Sequence, residues 1–358
     1  MTWVSRQFHK VLDTISTDIG IDLGTSSTLV YVKGKGIVLN EPTVVAVNKK
    51  TGQLVAVGDA AKLMLGRTPA HIEVIRPLVE GVISDFEVTE EMLSFLINKV
   101  RSDMRTLVAP RVLVGVPCGI TNVEMRAARD AARNAGAREV FLIEEPMAAA
   151  IGAKLPVEKA VGSMIIDIGG GTANIAVISL GGIVVERNLK VAGDHLNSAV
   201  VSYIRDQFKV LVGEKTAEDA KIKLAIIDAS PEMRELVVRG RDVVTGLPRE
   251  VIITDTDIRN AISPAVDSIV ETVRSVLEQT PPEVLADIMQ RGIHLSGGGA
   301  LIPGLPQLLE EVIQVPVIVV PDPLRAVIRG IGIVLENLER YEVILIDNEG
   351  ELSPHFAN

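Results

Sequence analysis

Two aspartates in this chain stand at the mouths of glycine turns. "IDLGTSS" leads an apolar run to Asp22 and on through Gly24, Thr25 and Ser26, and "IDIGGGT" places Asp167 ahead of Gly169, Gly170, Gly171 and Thr172. Consecutive backbone N–H groups converge on an anion only where side chains do not block the approach and positive φ is allowed, and glycine supplies both conditions. A carboxylate closing the preceding strand is a hard oxygen ligand suited to Mg²⁺ held through its waters. The chemistry this spacing points to is polyphosphate binding, with glycines for the phosphates and aspartates for the metal. The two aspartates lie 145 positions apart (167 − 22). One pattern has been used twice, and two such turns facing each other would hold a polyphosphate from both sides.

A lone turn of this type also serves as a tight hairpin with no ligand. Its repetition, together with a third glycine turn in "LSGGGALIPG" (295–304), argues against coincidence. None of the three has the G-x-G-x-x-G spacing of a dinucleotide site, and "VGEKT" (212–216) lacks the upstream glycine and the G-K pair of a P-loop.

The elements that must position these turns alternate. Strand-like runs at 18–32, 36–48, 111–116, 140–143, 163–168, 174–178, 182–187, 292–296 and 316–320 are separated by helical patterns, which is the order of an α/β fold. Thr89 is expected to open a helix carrying Leu93, Leu96, Ile97, Val100 and Met104. Thr121 and Glu124 form a capping box for a helix stopped by Gly136, and Ser263–Pro264 is expected to cap another whose buried face is Val266, Ile269, Val270, Val273 and Leu277. The stretches 34–81 and 191–249 each follow one aspartate hairpin and read as inserted subdomains.

At 358 residues, with domains of about 150, the chain holds about two. Its net charge of −10, from 36 Lys+Arg against 46 Asp+Glu, leaves no broad basic footprint, so nucleic acid is not an expected partner. One cysteine, Cys118, excludes an intramolecular disulfide and a cysteine metal cluster and reads as a small buried hydrophobe. His9, His71, His195, His294 and His355 have no zinc-ligand spacing. No apolar run reaches the 18 or so residues of a membrane span, although a mean hydropathy of +0.33 is high.

The opening "MTWVSRQFHKVLDTI" aligns Val4, Phe8, Val11 and Ile15 on one helical stripe with Trp3 beside it. Such a stripe either faces a core or lies in the plane of a membrane. In the second case a single helix binds weakly, and stable attachment requires many copies in one assembly. Leu107 and Val108, between Arg105 and Arg111, read either as an ordinary packed turn or as an apolar tip dipping into the same membrane.

The ordered set "IDLGT", "IEEPMAAAIG", "IDIGGGT", "VAGDHLN", "GEKTAEDAK" and "LSGGGALIPGL" resembles the actin, DnaK-type chaperone and sugar kinase superfamily. "KGKGIVLNEPTVVAV", "MLGRTP", "IRPLVEGVISDFEV" and "EEPMAAAIGAKLPV" are similar to the MreB family of bacterial actins, from about residue 1 to 340.

The resemblance implies a duplicated actin-like, RNase H-like ATPase core of two lobes with an inserted subdomain in each. Its boundaries would be 1–15 for an amphipathic helix, 16–33, 82–149 and 328–358 for the first core piece, and 34–81 for its insert. The second core piece would be 150–190 with 250–327, and its insert 191–249. It implies ATP with Mg²⁺, the metal on Asp22 and Asp167. The first phosphate loop would be Asp22, Gly24, Thr25 and Ser26, and the second Asp167, Gly169, Gly170, Gly171 and Thr172. Gly193 and Asp194 would lie near the phosphates, Glu218 and Lys221 at the ribose and adenine, and Gly297, Gly298 and Gly299 against the adenine. Glu145, with Thr172, would serve hydrolysis by orienting the attacking water, and Pro146 is expected to hold Glu145 in an extended backbone.

The implied function is a weak ATPase that polymerises into filaments on the inner face of the cell membrane, in the cytoplasm. There it would organise cell-wall elongation proteins and keep rod shape. A small-molecule kinase of the same fold would need an acceptor pocket with a catalytic base, and a chaperone a substrate-binding domain after residue 358. Asn174, Asn197 and the segment 224–238 depart from the commoner family pattern, and Asn197 falls in a region that by family analogy touches a neighbouring filament.

Overall fold

The computed structural model describes residues 18–104, 108–228 and 233–346. The chain divides into two compact units, 1–158 with 325–358, and 159–324.

The first unit is built on a five-stranded sheet in the order Glu139–Glu144, Arg111–Val116, Ile19–Leu23, Ser27–Val32, Gly36–Pro42. The last three form an antiparallel meander, and the first two run parallel to Ile19–Leu23. Period-two alternation sends Ile19, Ile21 and Leu23 into a core under helices Phe86–Met104 and Asn122–Asn134, with Leu93, Leu96, Ile97 and Ala131 facing them. Gly20, Asp22 and Gly115 therefore belong to the opposite face. Helix Ala326–Glu336 lies there so closely that a Cβ on Gly20 would be 2.5 Å from Ile331. The same helix crosses helix Glu145–Gly152 at Gly330 and Gly152, where a Cβ on either glycine would collide with a main-chain carbonyl of the other helix. The insert holds a small sheet, Leu54–Val57, Val45–Asn48 and Ile72–Ile75, and the hairpin Leu78–Val79/Val82–Ile83.

The second unit repeats the plan. Its sheet runs Gly182–Leu189, Ala173–Ser179, Ser163–Ile168, Ile293–Ser296, Val317–Val319, again a meander of three with two parallel strands beyond its first member. Met164, Ile166 and Ile168 face helices Gly193–Phe208 and Asp255–Gln279. A three-stranded sheet, Val210–Leu211, Glu235–Asp242 and Pro248–Thr254, completes the unit with helix Glu214–Leu224.

Four expectations are corrected. Thr89 is inside its helix, which begins at Phe86, and the capping carboxylate is that of Asp85, which accepts from Val88 N at 3.0 Å. Ser263–Pro264 caps nothing, because the helix starts at Asp255 with a Thr254–Asp257 capping box and runs through Pro264. The buried row Ile258, Ile262, Val266, Ile269 and Val273 continues across the proline, and burial of five such side chains outweighs the about 3 kcal/mol that an interior proline costs. The run 36–48 is two strands in two sheets, parted after Thr43, whose N–H bonds Ser26 C=O at 3.1 Å and so extends the pairing of the larger sheet by one residue. Glu145 is the first residue of its helix, and the extended residue ahead of the proline turn is Glu144, with ψ 133°. The Thr121–Glu124 box is present with both of its bonds, and Gly136 follows that helix at φ 107°.

Candidate functional site

In the first unit, Asp22 is the penultimate residue of the central strand, paired to Leu29 on one side and Gly115 on the other. A Cβ on Gly115 would lie 3.7 Å from Glu145 Cγ, so the bare glycine faces the side chain of Glu145, which is buried. Asp22, Glu145 and the turn Gly24–Ser26 thus share one end of one face. Thr25 is buried and its Oγ1 accepts from Gly81 N at 2.9 Å, whereas Ser26 is exposed.

In the second unit, Asp167 pairs with Asn174 and Ser296. Ser296 Oγ donates to its Oδ1 at 2.7 Å. Burial pushes the Asp167 carboxyl up to about 6, against the lowering effect of that bond. The turn closes through Gly169 N to Thr172 O at 2.9 Å, and Asn174 Nδ2 donates to Thr172 Oγ1 at 3.4 Å. Helix Gly193–Phe208 begins against this turn, with Gly193 N bonding Gly169 O at 3.1 Å and Asp194 N bonding Gly170 O at 2.8 Å. A Cβ on Gly193 would be 3.2 Å from Gly169 O, a tight contact that the turn would have to yield to by a few tenths of an ångström. Lys221 Nζ donates to Gly193 O at 3.0 Å. Burial holds its ammonium below the usual range, while Glu218 and Asp194 act the other way. Lys221 is therefore a half-buried brace on the start of that helix.

The glycines fill their roles differently from expectation. Gly24 and Gly169 do not use positive φ. What Gly24 requires is space, since a Cβ there would be 2.8 Å from Ser27 O. Gly297, at φ 80°, and Gly299 are both pressed on Ile168, so close packing demands both and backbone conformation also demands the first, and only Gly298 of the three is exposed. Asn197 is buried, which removes its side chain from any outer surface.

Ser296, Gly115 and Thr43 were not singled out by sequence reasoning. Ser296 lies inside the quoted glycine turn, but nothing local marks it as the partner of a carboxylate 129 residues earlier. Trp3, Val4, Phe8, Val11 and Leu107 lie outside the described residues, and Val108 is half-buried. Among the described residues no helix is long and apolar enough to cross a membrane, and no three His, Cys, Asp or Glu side chains cluster as a metal cage.

A sheet of this order built twice, each copy closing its central strand with an aspartate and a glycine turn, defines the actin-like fold. Solved structures agree: MreB5 of Spiroplasma citri bound to AMPPNP is 39% identical at a TM-score of 0.85, covering 91% of this chain and 97% of that one. The chain belongs to the MreB/Mbl protein family, whose pattern it matches over residues 16–343. It is 48% identical over 324 residues to the cell shape-determining protein Mbl of Bacillus cereus, covering 90% of this chain and 97% of that protein. To the cell shape-determining protein MreB of Escherichia coli K12 it is 49% identical over 344 residues, covering 95% and 99%.

Proposed function

We propose that this protein binds and hydrolyses ATP with Mg²⁺ and polymerises into filaments that act in cell-shape determination. The observation carrying this reading is the repeated placement of Asp22 and Asp167 next to the end of the central strand of equivalent sheets, each followed by a turn whose carbonyls are held back by residues that come after the third strand of the meander. Turns of that construction suit nucleotide phosphates, and MreB5 of Spiroplasma citri is bound to AMPPNP in one solved structure and to ADP in another.

Asp22 and Asp167 would hold Mg²⁺. The chemistry of each donor fits: a carboxylate near the end of a strand, beside a glycine turn, suits an ion that keeps its waters and takes its remaining oxygens from phosphates. A desolvated carboxyl such as Asp167 also gains from a cation beside it. Held there, the ion would supply positive charge against the phosphate oxygens. Thr25 and Ser26 bind from the first turn, and Gly169–Thr172 from the second. Glu145, fixed by its helix and faced by Gly115, orients the attacking water. Lys221, Glu218 and Gly298 serve the nucleoside end.

Nucleotide state then biases affinity for the next subunit, and hydrolysis acts as a timer. The N-terminal stripe of Trp3, Val4, Phe8 and Val11 supports attachment to the inner face of the membrane, where cell-wall elongation proteins would be organised.

ATP turnover measured together with light scattering over a range of protein concentrations tests the reading. Turnover that rises with assembly is expected. Turnover that waits for an added sugar would make the protein a small-molecule kinase instead.

A further inference from the structure

Thr43 follows the third strand of the first unit's meander and is completely buried. Its Oγ1 donates to Gly24 C=O at 2.6 Å and its N–H donates to Ser26 C=O at 3.1 Å. Thr28 Oγ1 lies 2.9 Å from Thr43 Oγ1. Because the single Thr43 hydroxyl proton is committed to Gly24, Thr28 is the donor, and the two hydroxyls form a chain in which each bond polarises the next.

The consequence follows from peptide geometry. In a trans peptide the C=O and the following N–H point in opposite directions, and no peptide among the described residues is cis. Pulling the carbonyls of Gly24 and Ser26 back onto Thr43 turns the N–H groups of Thr25 and Ser27 to the far side of the loop. The second unit does the same with main chain alone: Gly193 N and Asp194 N, directly after the third strand of that meander, hold the carbonyls of Gly169 and Gly170. The N–H groups of Gly170 and Gly171 are thereby turned outward.

We propose that Thr43 is a positioning residue for nucleotide binding: its buried hydroxyl sets the peptide planes of the first turn so that the amides of Thr25 and Ser27 meet phosphate oxygens. The inference rests on the ATP-binding reading above. It assigns to a residue of the insert boundary a role that its packing alone does not require, since valine would fill the same volume.

Calorimetric titration of the full-length protein with MgATP, alongside its melting temperature without nucleotide, provides the test. Thr43→Val is expected to bind ATP about tenfold more weakly, the loss of one strong hydrogen bond, and Thr43→Ser within about twofold of wild type because it keeps the hydroxyl. A structural role would lower the melting temperature of T43V and leave its affinity in place. Unchanged affinity in T43V, or a T43S as weak as T43V, overturns the inference while wild-type binding stands. A wild type that binds no ATP overturns the nucleotide reading and this inference with it. Should T43V not fold, Thr43→Cys, whose thiol is a poor donor, takes its place with the same expected loss.

Discussion

Ser296 donates its hydroxyl to the buried carboxylate of Asp167 at 2.7 Å, across neighbouring parallel strands. This bond is the main stabiliser of a charge that burial otherwise opposes, leaving the carboxyl at about 6 rather than the ordinary 3.8. The sign of the pH effect follows. Between those two values the folded chain keeps a proton that the unfolded chain has released. The contribution of Asp167 to stability is therefore full below about pH 4 and lost as pH rises through about 6.

Binding of MgATP should run the opposite way. The ionised carboxylate is the form that takes a cation, so affinity is expected to rise with pH up to about 6 and then level off. Titrations at stepped pH check this, and Asp167→Asn, which should flatten the dependence, subtracts the titration of the nucleotide itself. Ser296→Ala removes the lowering bond and should move the midpoint upward. A midpoint unmoved in S296A would contradict the assignment.

Gly330 and Gly152 allow helices Ala326–Glu336 and Glu145–Gly152 to touch main chain to main chain. Gly330→Ala places a methyl into the Ala148 carbonyl and is expected to cost at least about 2 kcal/mol, because the obstacle is backbone and cannot rotate away. Denaturant unfolding measures the loss. A wild-type midpoint would mean the helices stand further apart than described.

Helix starts offer a paired comparison. Thr121→Ala removes the side-chain bond to Glu124 N, leaves the residue-121 N–H on the Glu124 carboxylate, and should destabilise by about 1 kcal/mol, whereas Ser263→Ala, inside a helix that caps at Thr254, should cost nothing measurable or gain slightly. The contrast is read from denaturation midpoints of the two variants.

That comparison also separates what the sequence discloses from what it does not. The Thr121 box is legible because both of its bonds span three residues. The false start at Ser263–Pro264 arises because a local cap signal is outweighed by a buried row that continues past the proline. Strands Glu235–Asp242 and Pro248–Thr254 gave no alternating signal, since apolar Val237 and Ile252 face outward, opposite each other. The aspartate turns were legible as chemistry from spacing alone. Their supports were not, because Gly115 reaches Asp22, and Ser296 reaches Asp167, only through parallel pairing of strands far apart in the chain.

Glu145 allows binding and hydrolysis to be separated. Its carboxylate is buried at the start of a helix whose depth is set by the glycine crossing, and it faces the position where Gly115 has no side chain. Glu145→Gln keeps size, burial and a carbonyl oxygen but loses the basic oxygen that would take up or align a proton of water. ATP affinity should stay within about twofold, while single-turnover phosphate release should slow by about a hundredfold, the usual worth of a positioned general base. On the proposed coupling of assembly to bound nucleotide and of disassembly to hydrolysis, E145Q should scatter light at the same onset concentration as wild type and hold that signal longer after ATP is exhausted in the wild-type sample. Phosphate release at the wild-type rate would remove Glu145 from the chemistry and leave Thr172 of the second turn as the remaining candidate.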